Sequence, residues 1–195
     1  MKKLTKAIFF DRDGTIILEK GYIDNVEKIE LIPGATEVLF EIMNLGFKIV
    51  IISNQSGVAR GYFPESRVTE INSELENILK SEKVTVDGVY YCPHHIDGSI
   101  PEYKIECKCR KPGTGMIEAA VKDLNIRIDG SFLVGDKLSD VECGFNAGLK
   151  SILVRTGYGY EEEAKIDKNH SNKIPDFIAD TLNDVLEILR NEMDQ

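Results

Sequence analysis

Residues 7–15 read AIFFDRDGT, a short apolar run that stops at a cluster of Asp and Gly. A run that is apolar throughout, instead of alternating with polar residues, is typical of a strand buried on both faces of a parallel sheet. The Asp and Gly residues that follow it indicate a turn. Ligands of open α/β sheets bind beyond the carboxyl ends of the strands, so Asp11 and Asp13 stand where a functional site is expected.

Strand and helix patterns alternate along the rest of the chain. Four more apolar runs predict strands, at residues 48–52, 89–91, 131–134 and 151–154. Amphipathic stretches bounded by Pro, Gly or Asp predict helices, at residues 35–44, 65–81, 115–125, 140–147 and 181–191. This alternation within 195 residues predicts a doubly wound α/β sheet and one domain over residues 1–195.

Composition and charge narrow the classes of partner. The chain has 33 Asp and Glu against 24 Lys and Arg, a net charge of −9. Nucleic acid and anionic membranes are therefore not expected partners, since both require a basic surface. An anionic small molecule stays open, because a pocket can be positive on an acidic protein.

The cellular location follows from what the chain lacks. No apolar run approaches the roughly 20 residues that span a bilayer. Residues 1–14 do not form a signal peptide, because Asp11 and Arg12 end their short apolar run. We expect a cytosolic protein with reduced cysteines, and a monomer.

Polar side chains follow several of the predicted strands. After strands come Asp11, Asp13, Ser53, Asn54, Gln55, Ser56, Asp136, Lys137 and Asp140, and before the third predicted helix come Arg110 and Lys111. Carboxylate oxygens suit Mg²⁺, and hydroxyl, amide and cationic groups suit a phosphoryl group. Each group alone is explained as a turn, a helix cap or a solvated pair. Their combination at strand ends favours a phosphoryl-transfer site.

The loop before the third predicted helix carries three of the four cysteines. Cys92, His94, Cys107 and Cys109 form the pattern C-x-H-x12-C-x-C. Three thiolates and one imidazole make a closed tetrahedral zinc set, which is structural. His95 is the alternative fourth ligand. Cysteines packed as small apolar residues are the weaker explanation, because the loop is polar.

The ordered motifs resemble those of the haloacid dehalogenase-like phosphatases. They are DRDGT at residues 11–15, Ser53, Lys111 and GDKLSD at residues 135–140. The segments FFDRDGTI, SNQSGVARGYF, YYCPHH, CKCRKP and VGDKLSD are similar to the heptose 1,7-bisphosphate 7-phosphatases of that superfamily, and histidinol-phosphate phosphatases are close relatives. The resemblance implies a Rossmann-like three-layer sandwich with a mainly parallel sheet, no large cap and a zinc-bound loop over residues 92–109.

The resemblance also implies the chemistry of each matching residue. Asp11 would be the nucleophile that becomes an aspartyl-phosphate, and Asp13 the general acid and then the base. The carboxylates of Asp11 and Asp136 and the backbone carbonyl of Asp13 would hold Mg²⁺. Ser53 and Lys111 would stabilise the transferring phosphoryl group.

The remaining roles concern substrate and zinc. Asp140 would orient Lys111 or a metal-bound water, and the family pattern favours His94 as the fourth zinc ligand. The implied substrate contacts are Asp11, Asp13, Glu19, Lys20, Gly21, Tyr22, Ser53, Asn54, Gln55, Ser56, Arg110, Lys111 and Lys137.

The resemblance implies a phosphatase of a phosphorylated sugar that serves nucleotide-activated heptose and lipopolysaccharide biosynthesis. One alternative is a histidinol-phosphate phosphatase. A non-enzymatic alternative is a zinc-stabilised interaction module on an inactive phosphatase scaffold, against which the complete motif set argues.

Other conspicuous residues have structural interpretations. We expect Cys143 in the core, His170 in solvent and Glu161, Glu162 and Glu163 on a solvated face. Residues 159–173 are expected to form a polar loop, to which no function is assigned.

Overall fold

One parallel sheet organises the computed structural model, which describes residues 4–166 and 174–194. Its strands are β1 (Ala7–Phe10), β2 (Lys48–Asn54), β3 (Gly88–Cys92), β4 (Phe132–Gly135), β5 (Lys150–Val154) and β6 (Phe177–Ala179). They lie in the order β3-β2-β1-β4-β5-β6. The chain therefore moves outward in one direction from β1 and then outward in the other, which is the doubly wound arrangement.

Helices connect the strands. They are α1 (Ala35–Asn44), α2 (Glu65–Ser81), α3 (Gly115–Leu124), α4 (Leu138–Ala147), α5 (Gly159–Glu163) and α6 (Leu182–Met193). Short 3-10 turns lie at Val26–Lys28 and Pro101–Tyr103. No helix within the described ranges combines the length and apolar character that crossing a membrane requires.

The central strand explains why the sheet carries helices on both faces. Ile8 and Phe10 of β1 pack in the core shared with α1, α2 and α6. Ala7 and Phe9 alternate to the opposite face, where α3 and α4 contribute the apolar side chains. A strand buried on both faces is apolar throughout, and the run AIFF has this character because helices cover both faces of β1. The predicted α/β three-layer sandwich is confirmed.

The predicted elements differ from the structure at their ends and at one edge. Helix α4 begins at Leu138, before the predicted Asp140, because the Asp140 side chain accepts the Lys137 backbone N–H at 3.1 Å and so caps the first turn. Strand β6 was not predicted, since three residues at the sheet edge are too few to show a periodic pattern.

The prediction of a polar loop over residues 159–173 is wrong for residues 159–163. Residues 159–163 form α5, and two of its acidic side chains have defined partners. Glu162 accepts the Leu138 N–H at 3.0 Å, and Glu163 forms a two-point ion pair with Arg155 at 2.5 and 2.7 Å. Glu162 and Glu163 are therefore not merely a solvated face. The interpretation of His170 falls on residues 167–173, outside the described residues.

Candidate active site

The neighbouring ends of β1 and β4 bring acidic residues together. Phe10 is paired with Val134, and the Asp11 N–H donates to the Val134 carbonyl at 2.9 Å. Carboxylate oxygens of Asp11, Asp136 and Asp140 lie within 4.8 Å of one another, and all three residues are buried. Parallel strands end at a common edge of the sheet, so residues more than 120 positions apart form one acidic cluster.

Lys111 neutralises part of this cluster. Its Nζ lies 2.8 Å from Asp11 Oδ1 and 2.7 Å from Asp140 Oδ1, and it donates to the Ile52 carbonyl at 3.0 Å. Burial alone would lower the pKa of Lys111, but the charges of Asp11 and Asp140 raise it above its ordinary value. Lys111 therefore stays cationic, with all three of its N–H donors directed to fixed acceptors.

The end of β2 sets the position of Lys111. The Asn54 side chain donates to the Lys111 carbonyl at 3.1 Å and accepts the Lys111 N–H at 3.0 Å. One amide thus holds both backbone groups of Lys111. This contact joins the segment that follows the cysteine loop to the sheet edge where Asp11 lies.

Asp136 offers an oxygen suited to a cation. Its Oδ2 accepts the Tyr158 N–H at 2.9 Å. Its buried Oδ1 has no hydrogen-bond partner among the described residues and lies 3.7 Å from Lys137 Nζ. Burial, followed by the charge of Asp11, raises the pKa of Asp136 to about 8. A divalent cation between these carboxylates would relieve their repulsion, and hard oxygen donors fit Mg²⁺.

Ser53 ends in a hydroxyl without a partner. Its side chain is fully buried, and Oγ makes no hydrogen bond within the described residues. Leaving a buried hydroxyl unpaired costs about 1–3 kcal/mol. A ligand oxygen beside the Asp11 cluster would satisfy it, which fits a phosphoryl group.

An open pocket of about 430 Å³ lies over the cluster. Its lining residues are Asp13, Glu19, Gly21, Tyr22, Asn54, Gln55, Ser56, Arg110, Lys111, Lys137, Ser139 and Tyr158. Burial alone would lower the pKa of Lys137, but nearby carboxylates, Asp11 first, raise it, so this side chain is cationic. Together with Arg110 and Lys111 it makes the pocket attractive to anions on an acidic protein.

The pocket lining differs from the sequence-based set in five places. Asp11 and Ser53 were predicted to contact substrate, but both are buried and do not line the pocket. Lys20 is not among the lining residues: its Nζ pairs with Glu30 at 2.7 Å in an exposed position. Ser139 and Tyr158 were missed. The Tyr158 ring lies 4.8 Å from Lys137 Nζ. The sequence feature that could have indicated Tyr158 is the Gly-rich turn that follows β5 at the same sheet edge.

The cysteine loop closes around four donor atoms. Cys92 Sγ lies 3.4 Å from Cys107 Sγ and 3.1 Å from Cys109 Sγ, and His94 Nδ1 lies 3.3 Å from Cys109 Sγ. His95 is directed elsewhere, with Nδ1 accepting the Asp97 N–H and Nε2 facing Arg60. Three sulfurs and one imidazole nitrogen fit a structural zinc ion.

The sheet order and the acidic edge beside a buried lysine define a hydrolase of the haloacid dehalogenase class. Residues 108–185 match the family model described as HAD-hydrolase-like. A solved putative HAD-like phosphatase from Mesorhizobium loti superposes with a TM-score of 0.82 at 31% identity, covering 98% of this chain and 88% of that one.

Other relatives identify the family within this class of hydrolases. The D-glycero-beta-D-manno-heptose-1,7-bisphosphate 7-phosphatase of Haemophilus influenzae is 39% identical over 188 residues, 96% of this chain and 98% of the relative. The protein of that name from Escherichia coli K12 is 41% identical over 167 residues, 85% of this chain and 87% of the relative. The D,D-heptose 1,7-bisphosphate phosphatase of B. bronchiseptica, solved with magnesium and phosphate, gives a TM-score of 0.82 at 27% identity and covers 96% of this chain and 99% of that one. This chain belongs to the heptose-1,7-bisphosphate 7-phosphatase family.

Proposed function

We propose that this protein is a Mg²⁺-dependent phosphomonoesterase that removes the 7-phosphate of D-glycero-D-manno-heptose 1,7-bisphosphate, in nucleotide-activated heptose biosynthesis. The observation that carries the proposal is the buried Asp11 carboxylate, held 2.8 Å from Lys111 beneath a pocket that Arg110, Lys111 and Lys137 line. The family relationship supplies the substrate. We further propose that it acts as a monomeric single domain in the cytoplasm. Four free cysteines support the cytoplasmic location.

Asp11 and Asp13 divide the chemistry between them. An Asp11 oxygen forms a bond to phosphorus while the bond from phosphorus to the sugar oxygen breaks, and Asp13 gives that oxygen its proton. Water then attacks the aspartyl-phosphate, Asp13 takes the proton from the water, and phosphate and free Asp11 are released. Asp11 is oriented for attack because its Oδ1 accepts the Arg12 N–H at 2.8 Å and the Lys111 ammonium.

Other side chains neutralise the transferring group. Lys111 supplies a fixed positive charge, and the unpaired Ser53 hydroxyl is free to donate to an equatorial phosphoryl oxygen. Asp11, Asp136 and the Asp13 backbone carbonyl would hold Mg²⁺, which when bound offsets the negative charge of the phosphoryl oxygens. Asp140 keeps Lys111 in place through its 2.7 Å contact.

Substrate selection falls to the pocket wall, since residues 4–166 and 174–194 include no large cap over it. Arg110 and Lys137 provide positive charge for the part of the bisphosphate that does not react. Arg110 donates to the His94 carbonyl at 3.2 Å, so its position depends on the cysteine loop. Zinc bound by Cys92, His94, Cys107 and Cys109 would therefore hold Arg110 and Lys111 at the pocket indirectly.

Phosphate release tests this proposal. The purified protein with Mg²⁺ is compared on the α and β anomers of heptose 1,7-bisphosphate and on histidinol phosphate. We expect kcat/KM at least about tenfold higher for a heptose bisphosphate, because Arg110 and Lys137 favour a second anionic group. A tenfold preference for histidinol phosphate would overturn the substrate assignment.

A variant tests the nucleophile. Asp11→Asn should abolish turnover while substrate binding and folding persist, because an amide cannot form the acyl-phosphate. Absence of hydrolysis by the wild-type protein on every substrate would support the non-enzymatic interaction module instead.

A further inference from the structure

Arg12, the residue between the two catalytic carboxylates, is buried. It is 1% exposed, and its guanidinium faces Asp13. Nε and Nη2 donate to Asp13 Oδ1 at 3.2 and 3.0 Å, and Nη2 also donates to Asp13 Oδ2 at 2.9 Å. A buried charge is tolerated only when it is paired and hydrogen-bonded. The Arg12 side chain therefore serves Asp13 and not solvent.

The opposite end of the guanidinium is held by α2. Arg12 Nη1 donates to Asn72 Oδ1 at 2.7 Å, across 60 residues of sequence. Asn72 is 5% exposed on a helix face whose other buried residues are Val68, Ile71, Leu75 and Leu79. A buried amide among apolar residues destabilises a protein unless it is hydrogen-bonded. The bond to Arg12 is what makes Asn72 acceptable there.

This arrangement limits the motion of Asp13. An arginine side chain has many rotamers, and fixing its far end leaves one orientation for the fork that meets the carboxylate. Gln55 donates to Asp13 Oδ2 at 2.8 Å from another side. The Asp13 side chain is 15% exposed and lines the pocket, so it is held between these donors at the place where a leaving oxygen would lie.

We propose that Asn72 is a positioning residue for the acid–base step, acting through Arg12 to hold Asp13 at the leaving group. The proposal rests on the proposed phosphatase function and adds to it a residue outside the strand-end motifs. General acid–base catalysis contributes about 10²–10⁴-fold to rate and depends on placement within hydrogen-bond reach. Loss of Asn72 should therefore reduce catalysis selectively where a proton must be delivered.

The choice of leaving group separates this role from a structural one. A sugar alkoxide needs a proton from Asp13 to depart, whereas 4-nitrophenolate departs as a stable anion. For Asn72→Leu we expect kcat/KM to fall about 10–100-fold on heptose 1,7-bisphosphate and less than about threefold on 4-nitrophenyl phosphate. The ratio of the two values does not depend on the fraction of protein that is folded.

Matched variants on the same helix complete the test. Asn72→Asp keeps an acceptor for Arg12 and should restore most of the ratio. Asn77→Leu makes the same change at an exposed position of α2, where the side chain donates to neighbouring Glu74 at 3.5 Å, and should behave as wild type. Equal losses on both substrates, or no loss on either, would refute the positioning role.

A second measurement uses heptose 1,7-bisphosphate alone. In an Asp13→Asn background, Asn72→Leu should cause no further loss of kcat/KM, because its effect passes through Asp13. Losses that multiply in the double variant would show that Asn72 acts independently of Asp13. If the wild type hydrolyses no phosphate ester, the proposed function fails and the positioning role fails with it. Wild-type hydrolysis with an unchanged substrate ratio refutes only the role of Asn72.

Discussion

Gly157, in the turn after β5, packs against Asp136 of the acidic cluster. Its φ is +53°, and a Cβ placed on it would collide with Asp136 Oδ2 and lie 2.7 Å from Gly14 Cα. The Gly14 backbone has little freedom to yield, because Gly14 itself has a φ of +83° and packs against Asp136. Gly157→Ala should therefore displace the Asp136 carboxylate.

The expected magnitude has two parts. Placing an alanine in the left-handed region costs about 1–2 kcal/mol. Moving Asp136 breaks its 2.9 Å bond from the Tyr158 N–H. With saturating Mg²⁺, which keeps Asp136 ionised, a hydrogen bond to this charged group contributes about 1.5–3 kcal/mol. Together they predict that the free energy of unfolding falls by about 2.5–5 kcal/mol.

The same displacement should weaken the use of Mg²⁺. The Tyr158 N–H orients Asp136 by holding Oδ2, so that the partnerless Oδ1 faces the cluster. Loss of such an outer contact typically costs about 10–100-fold in metal affinity or activity. We expect the Mg²⁺ concentration for half-maximal activity to rise by that factor.

Gly46→Ala is the matched control. Gly46 also has a positive φ, +87°, but a Cβ there meets no atom within 4 Å. This variant should lose only the about 1–2 kcal/mol of backbone strain and keep the wild-type Mg²⁺ requirement.

Chemical denaturation and Mg²⁺ titration of phosphate release measure the two effects. The reasoning is refuted if Gly157→Ala is no less stable than Gly46→Ala and its Mg²⁺ dependence equals that of the wild type. Loss of stability with an unchanged Mg²⁺ dependence would remove the link between this turn and Asp136.

Three further predictions concern other parts of the molecule. Chelation of zinc should expose the thiols of Cys92, Cys107 and Cys109 to alkylation. Cys143 should react only on unfolding, because burial raises its pKa to about 12 and the thiolate is the reactive form. Reaction of all four thiols before unfolding would contradict this prediction. Asn54→Leu removes both hydrogen bonds to the Lys111 backbone and should lower kcat by up to about 100-fold with zinc content unchanged; wild-type kcat would show that Lys111 is placed without them. Thr181→Ala deletes the N-cap of α6 and should lower the free energy of unfolding by about 1 kcal/mol without changing kcat/KM. Thermal melts and phosphate-release assays measure the two quantities. A fall in kcat/KM would reveal an unexpected connection to the site.

Local sequence patterns carried most of the fold. The five predicted strands and the helices between them are present, because continuous apolar runs and amphipathic helices depend on residues close in sequence. Strand β6 and helix α5 were not predicted because they are too short to show a periodic pattern. The partners that define α5, such as Arg155 for Glu163 and Leu138 for Glu162, become visible only when distant segments meet.

The residues of the candidate site likewise fall into those that local sequence patterns indicate and those that they do not. Asp11, Lys111 and Asp136 could be singled out because each follows a strand or precedes a helix in a recognisable motif. Arg12 and Asn72 could not, since an arginine between two aspartates looks solvated and an asparagine in a helix looks exposed. Only the packing of α2 against the end of β1 removes both from water and forces them to pair.

The amino-acid sequence by itself predicted the layer architecture, the acidic strand ends and the candidate zinc ligands, because each depends on residue type at short spacing. The candidate Mg²⁺ ligands followed from the family resemblance. Only the tertiary structure shows that Lys20 turns to Glu30 away from the pocket and that Asn72 accepts a hydrogen bond from Arg12. It also places His94, which the family pattern favours over His95, beside the three cysteines. Direction and burial of a side chain are set by segments far away in the chain, and no local pattern contains them.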